Sequence, residues 1–249
     1  MSRIQPSDLR RVAWRTLLLQ AAFNYERQQG IGWAYAIDPA LRRLYPDEAT
    51  RRERLAEHTA YFNTQPTLAS VALGAVTALE EQRAAGDPVD AATIARVKSA
   101  LGAALAAIGD RLFWFTLRPF AACLGVLFAV LGSPFGALVL LLSYNAVHLV
   151  LRFAGVGIGH AAGPAVLGGG LRDRLEAMVR RLGLLGSVLI GVLVAALLAP
   201  GGEPASLTFQ ATLIGGLLFG ILAALRSRPS PTQWALGLGA MCLLVGFRR

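Results

Sequence analysis

Residues 113–152 read FWFTLRPFAACLGVLFAVLGSPFGALVLLLSYNAVHLVLR, and this stretch decides the fold. It divides into two apolar runs, 113–131 and 135–152, each close to the roughly 20 residues that carry a helix across a bilayer. Further candidates follow at 183–200 and 207–225, with a shorter one at 234–247. The chain has 249 residues, 55% of them hydrophobic, and a mean hydropathy of +0.52. Only 16% are charged, against about 25% in soluble domains. The expected class is an all-α integral membrane protein. About five transmembrane helices are expected, with an N-terminal amphipathic helix and two half-length, re-entrant segments.

Residues 1–112 hold most of the charged side chains, and after them charges are few and gather in short basic clusters, Arg172 to Arg181 and Arg226 with Arg228; the formal net charge is +9. Loops 132–134 and 201–206 contain no Lys or Arg. The positive-inside rule therefore places the arginine clusters and the N-terminus in the cytoplasm, and basic residues beside a bilayer attract anionic lipid. No zinc-finger spacing or basic–aromatic repeat points to nucleic acid. Cys123 and Cys242 lack CxxC partners, which argues against a disulfide scaffold or a metal site. The N-terminal residues lack the apolar core of a signal peptide.

Three regions are expected. Residues 1–60 form a cytoplasmic or interfacial part. Within them, SDLRRVAWRTLLLQAAF (7–23) places Leu9, Val12, Ala13, Thr16, Leu17, Gln20 and Phe23 at helical spacing, flanked by Arg10, Arg11 and Arg15. That pattern suits a helix on the membrane surface or an ordinary core helix. Pro39 and Pro46 punctuate the charged stretch 38–58. Residues 61–112 hold two short apolar segments, PTLASVALGAVTAL (66–79) and SALGAALAAI (99–108), which read as buried core helices or as re-entrant hairpins of the kind transporters use. Residues 113–249 form the transmembrane region.

No catalytic constellation is visible: His58, His148 and His160 are scattered, and GVGIGH (155–160) reads as helix packing or a turn rather than a nucleotide loop. No catalytic residue, metal ligand or cofactor is therefore expected. The polar residues beside the half-length segments carry more information. Asn63, Thr64 and Gln65 precede the first, Glu80 and Glu81 close it, and Asp110 and Trp114 follow the second. Arg118 lies inside an apolar run. Ionisable groups at membrane depth pair or line a polar path, and such side chains hydrogen-bond or stack on a sugar. Equally, NTQP caps a helix, and Arg118 pairs with an acid or snorkels.

The strings FNYERQQGIGWAYAIDPALRRLYPDE, HTAYFNTQPTLASVALGAVTALEEQ and IGDRLFWFTLRPF, with LGSPFGALVLLLSYN and LGLLGSVLIG after them, resemble the IID components of mannose/fructose/sorbose phosphotransferase systems. The resemblance runs from about Ile4 to Leu198. It implies a plasma-membrane subunit that pairs with a IIC subunit to pass a hexose such as mannose, glucose or fructose, in a higher oligomer of such pairs. Cytoplasmic IIA and IIB subunits carry out the phosphoryl transfer. It also marks Asn63, Thr64, Glu80, Glu81, Asp110, Trp114 and Arg118 as path-lining or pairing positions. Two departures stand out. A Pro- and Gly-bearing stretch usual in the family is the Ala-rich 101–107 here, and Arg111 follows Asp110, where it is placed to pair with that acid. The stretch after Leu198 also reads short for the family. The alternative they raise is a divergent, non-transporting member with a regulatory or interaction role.

Overall fold

The computed structural model describes residues 3–168 and 170–198, and residues up to Leu193 form one compact unit. Eight α-helices occur among the described residues: α1 (Pro6–Arg15), α2 (Gly30–Leu44), α3 (Glu48–His58), α4 (Ala69–Ala85), α5 (Ala91–Leu112), α6 (Arg118–Val130), α7 (Gly136–Ala162) and α8 (Leu171–Leu198). No strand is present among them beyond two isolated bridges. The candidate spans at 207–225 and 234–247 lie outside the described residues.

Helix α4 forms the centre of the core. Every residue from Ala69 to Thr77 is buried, because the segment is apolar or small all round and so has no solvent face. α2, α5 and α7 pack around it. Against α7 the approach is very close: a Cβ on Gly74 would stand 2.0 Å from the Val156 carbonyl, and one on Gly159 2.0 Å from the Val71 carbonyl. Gly155 and Gly159 of GVGIGH, both facing α4, are thus a helix-packing device, whereas Gly157 faces away from it. α4 ends at Gly86, whose φ of +98° suits the left-handed turn that closes many helices. Asp90 then caps α5, accepting from the Thr93 amide at 2.7 Å.

Three helical stretches are long and apolar enough to cross a membrane: Ala91–Val130, Gly136–Ala165 and Leu171–Val194. The first joins what the sequence reads as two elements. Segment 99–108 is not a separate half-helix; it is the front of a continuous helix that runs into 113–131. Alanine favours uninterrupted helix, and the Gly109-Asp110 pair does not break it. The irregularity comes later, as a π-turn at Phe113–Leu117. Pro119 gives its physical cause. A proline has no amide hydrogen, and its ring crowds the carbonyl four residues back; opening the helix by a residue relieves both. Thr116 donates its hydroxyl to the Arg111 carbonyl at 2.7 Å in the opened turn.

Other boundaries shift for equally local reasons. Pro39 does not punctuate; it lies inside α2. It cannot donate to the Tyr35 carbonyl, and Arg15 Nη1 donates there instead at 2.9 Å. The N-terminal helix ends at Arg15, followed by a 3-10 turn at Thr16–Leu18. Val12, Ala13 and Thr16 face the core, whereas Trp14, Leu17, Leu18 and Phe23 are exposed. The segment is a core helix on one side and presents an apolar surface on the other.

Candidate functional site

The chain between α3 and α4 runs as an extended strap, and its side chains fasten it to α2 and α5. Thr64 is buried and held three ways. Its amide donates to Gln29 Oε1 (3.1 Å), its carbonyl accepts from Gln29 Nε2 (2.7 Å), and its hydroxyl donates to the Gly102 carbonyl (2.8 Å). Gln65 orders the turn that leads into α4, its Oε1 accepting from the amides of Thr67 (2.8 Å) and Leu68 (3.0 Å). Asn63 is exposed.

The strap lies directly on α5. A Cβ on Gly109 would meet Gln65 Cβ at 2.5 Å, so glycine lets the Gln65 side chain lie directly on α5. The next residue, Asp110, is half-buried, and its carboxylate has no hydrogen-bond or ion-pair partner among the described residues. Arg111 does not pair with it. The Arg111 guanidinium turns to Glu176 of α8 at 3.5 Å, and Glu176 also takes Arg172 at 3.1 Å. One helical turn beyond Asp110, Trp114 is 42% exposed. Arg118 places its guanidinium 5.8 Å from the centre of that indole, a cation–π arrangement. Asp110, Trp114 and Arg118 thus follow one another along the helix, beside the strap.

Glu80 and Glu81 stand elsewhere. Eleven residues of α4 separate Ala69 from Glu80, about 16 Å of helix. Glu80 is fully buried. It accepts from Tyr45 Oη at 2.7 Å and bonds His58 Nε2 at 3.0 Å. His58 Nδ1 accepts from Trp33 Nε1 at 3.3 Å, which makes Nε2 the protonated nitrogen and the donor to Glu80. Burial, then the hydrogen bond to the Glu80 carboxylate, pushes the Tyr45 hydroxyl far above its usual range. Glu81 accepts from the Ile4 amide (2.9 Å) and bonds His160 Nε2 (3.0 Å). Each glutamate of the tandem therefore binds one histidine. Nearby, Arg83 and Arg54 clamp Glu57 at 2.7 and 2.6 Å. Burial raises the Glu57 pKa, but these two arginines outweigh it and hold the carboxyl below its usual value.

The eight polar residues singled out in the sequence therefore fall into two places. Asn63, Thr64, Gln65, Asp110, Trp114 and Arg118 belong to the strap and the opened helix. Glu80 and Glu81 belong to a polar network at the other end of α4. The sequence gives no sign of the partners His58, His160 and Tyr45, since they lie 22, 79 and 35 residues from their glutamates. Nor does it show Lys98, which is buried and caps the end of α3 by donating to the His58 (3.0 Å) and Ala60 (3.2 Å) carbonyls. No group of metal-ligating side chains occurs among the described residues.

Residues 3–225 match the profile of the "PTS system mannose/fructose/sorbose family IID component". The chain belongs to this IID family. It is 38% identical to the mannose-specific EIID component of Escherichia coli strain K12 over 196 residues, 77% of this chain and 68% of that protein. It is 35% identical to the sorbose-specific EIID component of Klebsiella pneumoniae over 192 residues, 77% of this chain and 70% of that one. A solved complex of the mannose transporter ManYZ with microcin E492 contains a similar chain, with a TM-score of 0.63 and 30% identity over 98% of this chain and 97% of that one. A second solved membrane protein aligns with a TM-score of 0.71 and 31% identity, over 97% and 96% of the two chains. The present chain is a IID membrane component of a mannose-type phosphotransferase system.

Proposed function

We propose that this IID chain, with a IIC subunit, forms the path by which a hexose such as mannose, glucose or fructose crosses the bacterial plasma membrane. In this reading the N-terminus is cytoplasmic, and partner IIA and IIB subunits supply the phosphoryl group, so this chain performs no catalysis. IIC–IID pairs assemble into a higher oligomer. Movement of the α4–α5 hairpin region relative to the spanning helices would provide alternating access.

The observation that carries the reading is Asp110. A carboxylate on a membrane-length helix with no partner among the described residues is costly, and groups of this kind mark substrate pathways. It lies three residues before the π-turn at Phe113–Leu117, a feature frequent at functional sites. A sugar hydroxyl donates to the carboxylate, the indole of Trp114 offers a face for the pyranose ring, and Arg118 holds that indole. Asn63 adds an exposed amide. Thr64 and Gln65 act by fixing the strap, and Glu80 and Glu81 by fixing the far end of α4. The turn of Arg111 toward Glu176 leaves Asp110 free, which removes one ground for a non-transporting member.

The test is uptake of labelled mannose, glucose and fructose in cells lacking their own mannose permease, supplied with this chain and its IIC and IIAB partners. Asp110→Ala abolishes uptake while the complex still assembles in a pull-down. Full uptake by the variant would refute the role of Asp110. Assembly of the unaltered complex without uptake of any of the three sugars would favour the regulatory reading.

A further inference from the structure

α1 and α2 enclose a groove of about 510 Å³ lined by Arg11, Trp14, Arg15, Pro39 and Arg42. Its charge is unbalanced. Asp38 is shared by Arg15 and Arg42, each at 2.9 Å, and Arg11 is exposed with no acid partner among the described residues. Three guanidinium groups therefore face one carboxylate. The two helices together carry five arginines and two aspartates, and the other aspartate, Asp8, is taken by Arg43 at 3.0 Å.

The position of the groove identifies what it meets. Trp14 packs edge-on against Phe153 of α7 at 4.8 Å, and Arg152 donates to the Thr16 carbonyl. Phe153 lies seventeen residues from Gly136, about 25 Å along a helix. The hydrocarbon layer is about 30 Å thick, so with the 131–135 turn at one face, α1 meets the span near the other. Beside the groove, Trp14 is 64% exposed, and Leu17, Leu18 and Phe23 are exposed too. Tyr35 carries the Arg15 guanidinium 4.5 Å from its ring centre. A Trp and a Tyr bordering apolar and basic surface is the composition of a membrane interface.

We propose that this groove binds one anionic phospholipid, its phosphodiester held by Arg11, Arg15 and Arg42 and its acyl chains lying along Trp14, Leu17 and Leu18. Guanidinium forks match phosphate oxygens in pairs, and the apolar rim admits a lipid rather than a soluble anion. The proposal is independent of sugar passage, so its failure leaves the transport reading intact.

The full-length chain in detergent micelles is titrated with phosphatidylglycerol, phosphatidylcholine or soluble glycerophosphate, and bound lipid is counted by native mass spectrometry. Phosphatidylglycerol binds at least about tenfold more tightly than phosphatidylcholine: both carry the phosphodiester, but the excess positive charge of three guanidinium groups over one carboxylate repels the choline cation. Arg11→Gln weakens it about fivefold, and the Arg11→Gln/Arg42→Gln pair about twenty-five-fold. Arg52→Gln, an exposed arginine of α3, leaves it unchanged. Because Arg11 is exposed and unpaired, its single variant keeps the fold, verified by circular dichroism. Equal affinity for the two lipids, or unaltered binding by the double variant, overturns the site. Glycerophosphate competing as well as the lipid overturns its assignment to a lipid.

Discussion

Replacing Gly159 and Gly157 of α7 with alanine, one at a time, should move stability in opposite directions. Helix propensity alone predicts a gain of up to about 1 kcal/mol at each site. The structure separates them. At Gly157 an added Cβ meets nothing within 4 Å, whereas at Gly159 it stands 2.0 Å from the Val71 carbonyl and 2.9 Å from the Ala75 amide nitrogen. Both neighbours are backbone, so no rotamer change relieves the clash. Restoring an ordinary contact of 3.4 Å would move α4 and α7 apart by about 1.4 Å, in a close-packed interior that does not yield by that much without loss. Overpacking of this kind costs about 1–3 kcal/mol and occasionally more. After the propensity gain, Gly159→Ala should be destabilised by about 2 kcal/mol and Gly157→Ala stabilised by about 0.5–1 kcal/mol. For a unit of this size the melting temperature should fall by about 4–8 °C in the first and rise by about 1–4 °C in the second. Thermal unfolding of the purified chain in detergent, followed by near-ultraviolet circular dichroism, reads both. A rise in melting temperature for Gly159→Ala would show that α4 and α7 do not meet at their backbones, and the central packing argument would fail.

Removing the Glu80 carboxylate leaves the buried donor His58 Nε2 without an acceptor and the half-buried Tyr45 Oη with only the long 3.4 Å contact to the backbone carbonyl of residue 80. Glu80→Ala should therefore cost about 3–5 kcal/mol, and Tyr45→Phe only about 1–2 kcal/mol. The same melting experiment tests the order, and equal losses would argue against a shared network. The Glu57 carboxyl is held below its usual pKa in the folded chain. Its contribution is thus present above the unfolded value near pH 4.5 and is lost as pH falls through the folded value. The stability difference between the native chain and Glu57→Gln should shrink as pH falls from 7 toward 3, and a constant difference would refute the clamp. Arg111→Ser should leave sugar uptake unchanged and cost under about 1 kcal/mol, since Arg111 makes only an exposed ion pair with Glu176. A large increase in uptake would instead place Arg111 over Asp110.

Near-neighbour information accounts for what was legible in the sequence. The apolar runs at 113–131 and 135–152, the turn that NTQP forms before a helix, the packing role of GVGIGH and the family strings all lie within continuous stretches of chain. Their physics is hydropathy, propensity and local backbone geometry. The position of Asp110 beside the NTQP strap was not legible from spacing or from the resemblance, because 45 residues separate Asp110 from Gln65, and Gly109 brings them together only once α5 is packed.

Taken by itself, the sequence determined that the chain is helical, enters the membrane after its charged first half, and belongs with the IID components. Composition and contiguous motifs suffice for that, since they set which segments leave water. The tertiary structure alone decided that 99–108 and 113–131 are one helix opened at a π-turn, that Pro39 is tolerated inside α2 because Arg15 serves the freed carbonyl, and that Arg111 faces Glu176. It also divided the polar candidates, giving Glu80 and Glu81 each a histidine and leaving Asp110 without a partner among the described residues. Those outcomes depend on groups brought together from distant parts of the chain, where a donor's nearest acceptor is set by how helices pack and not by spacing along the backbone.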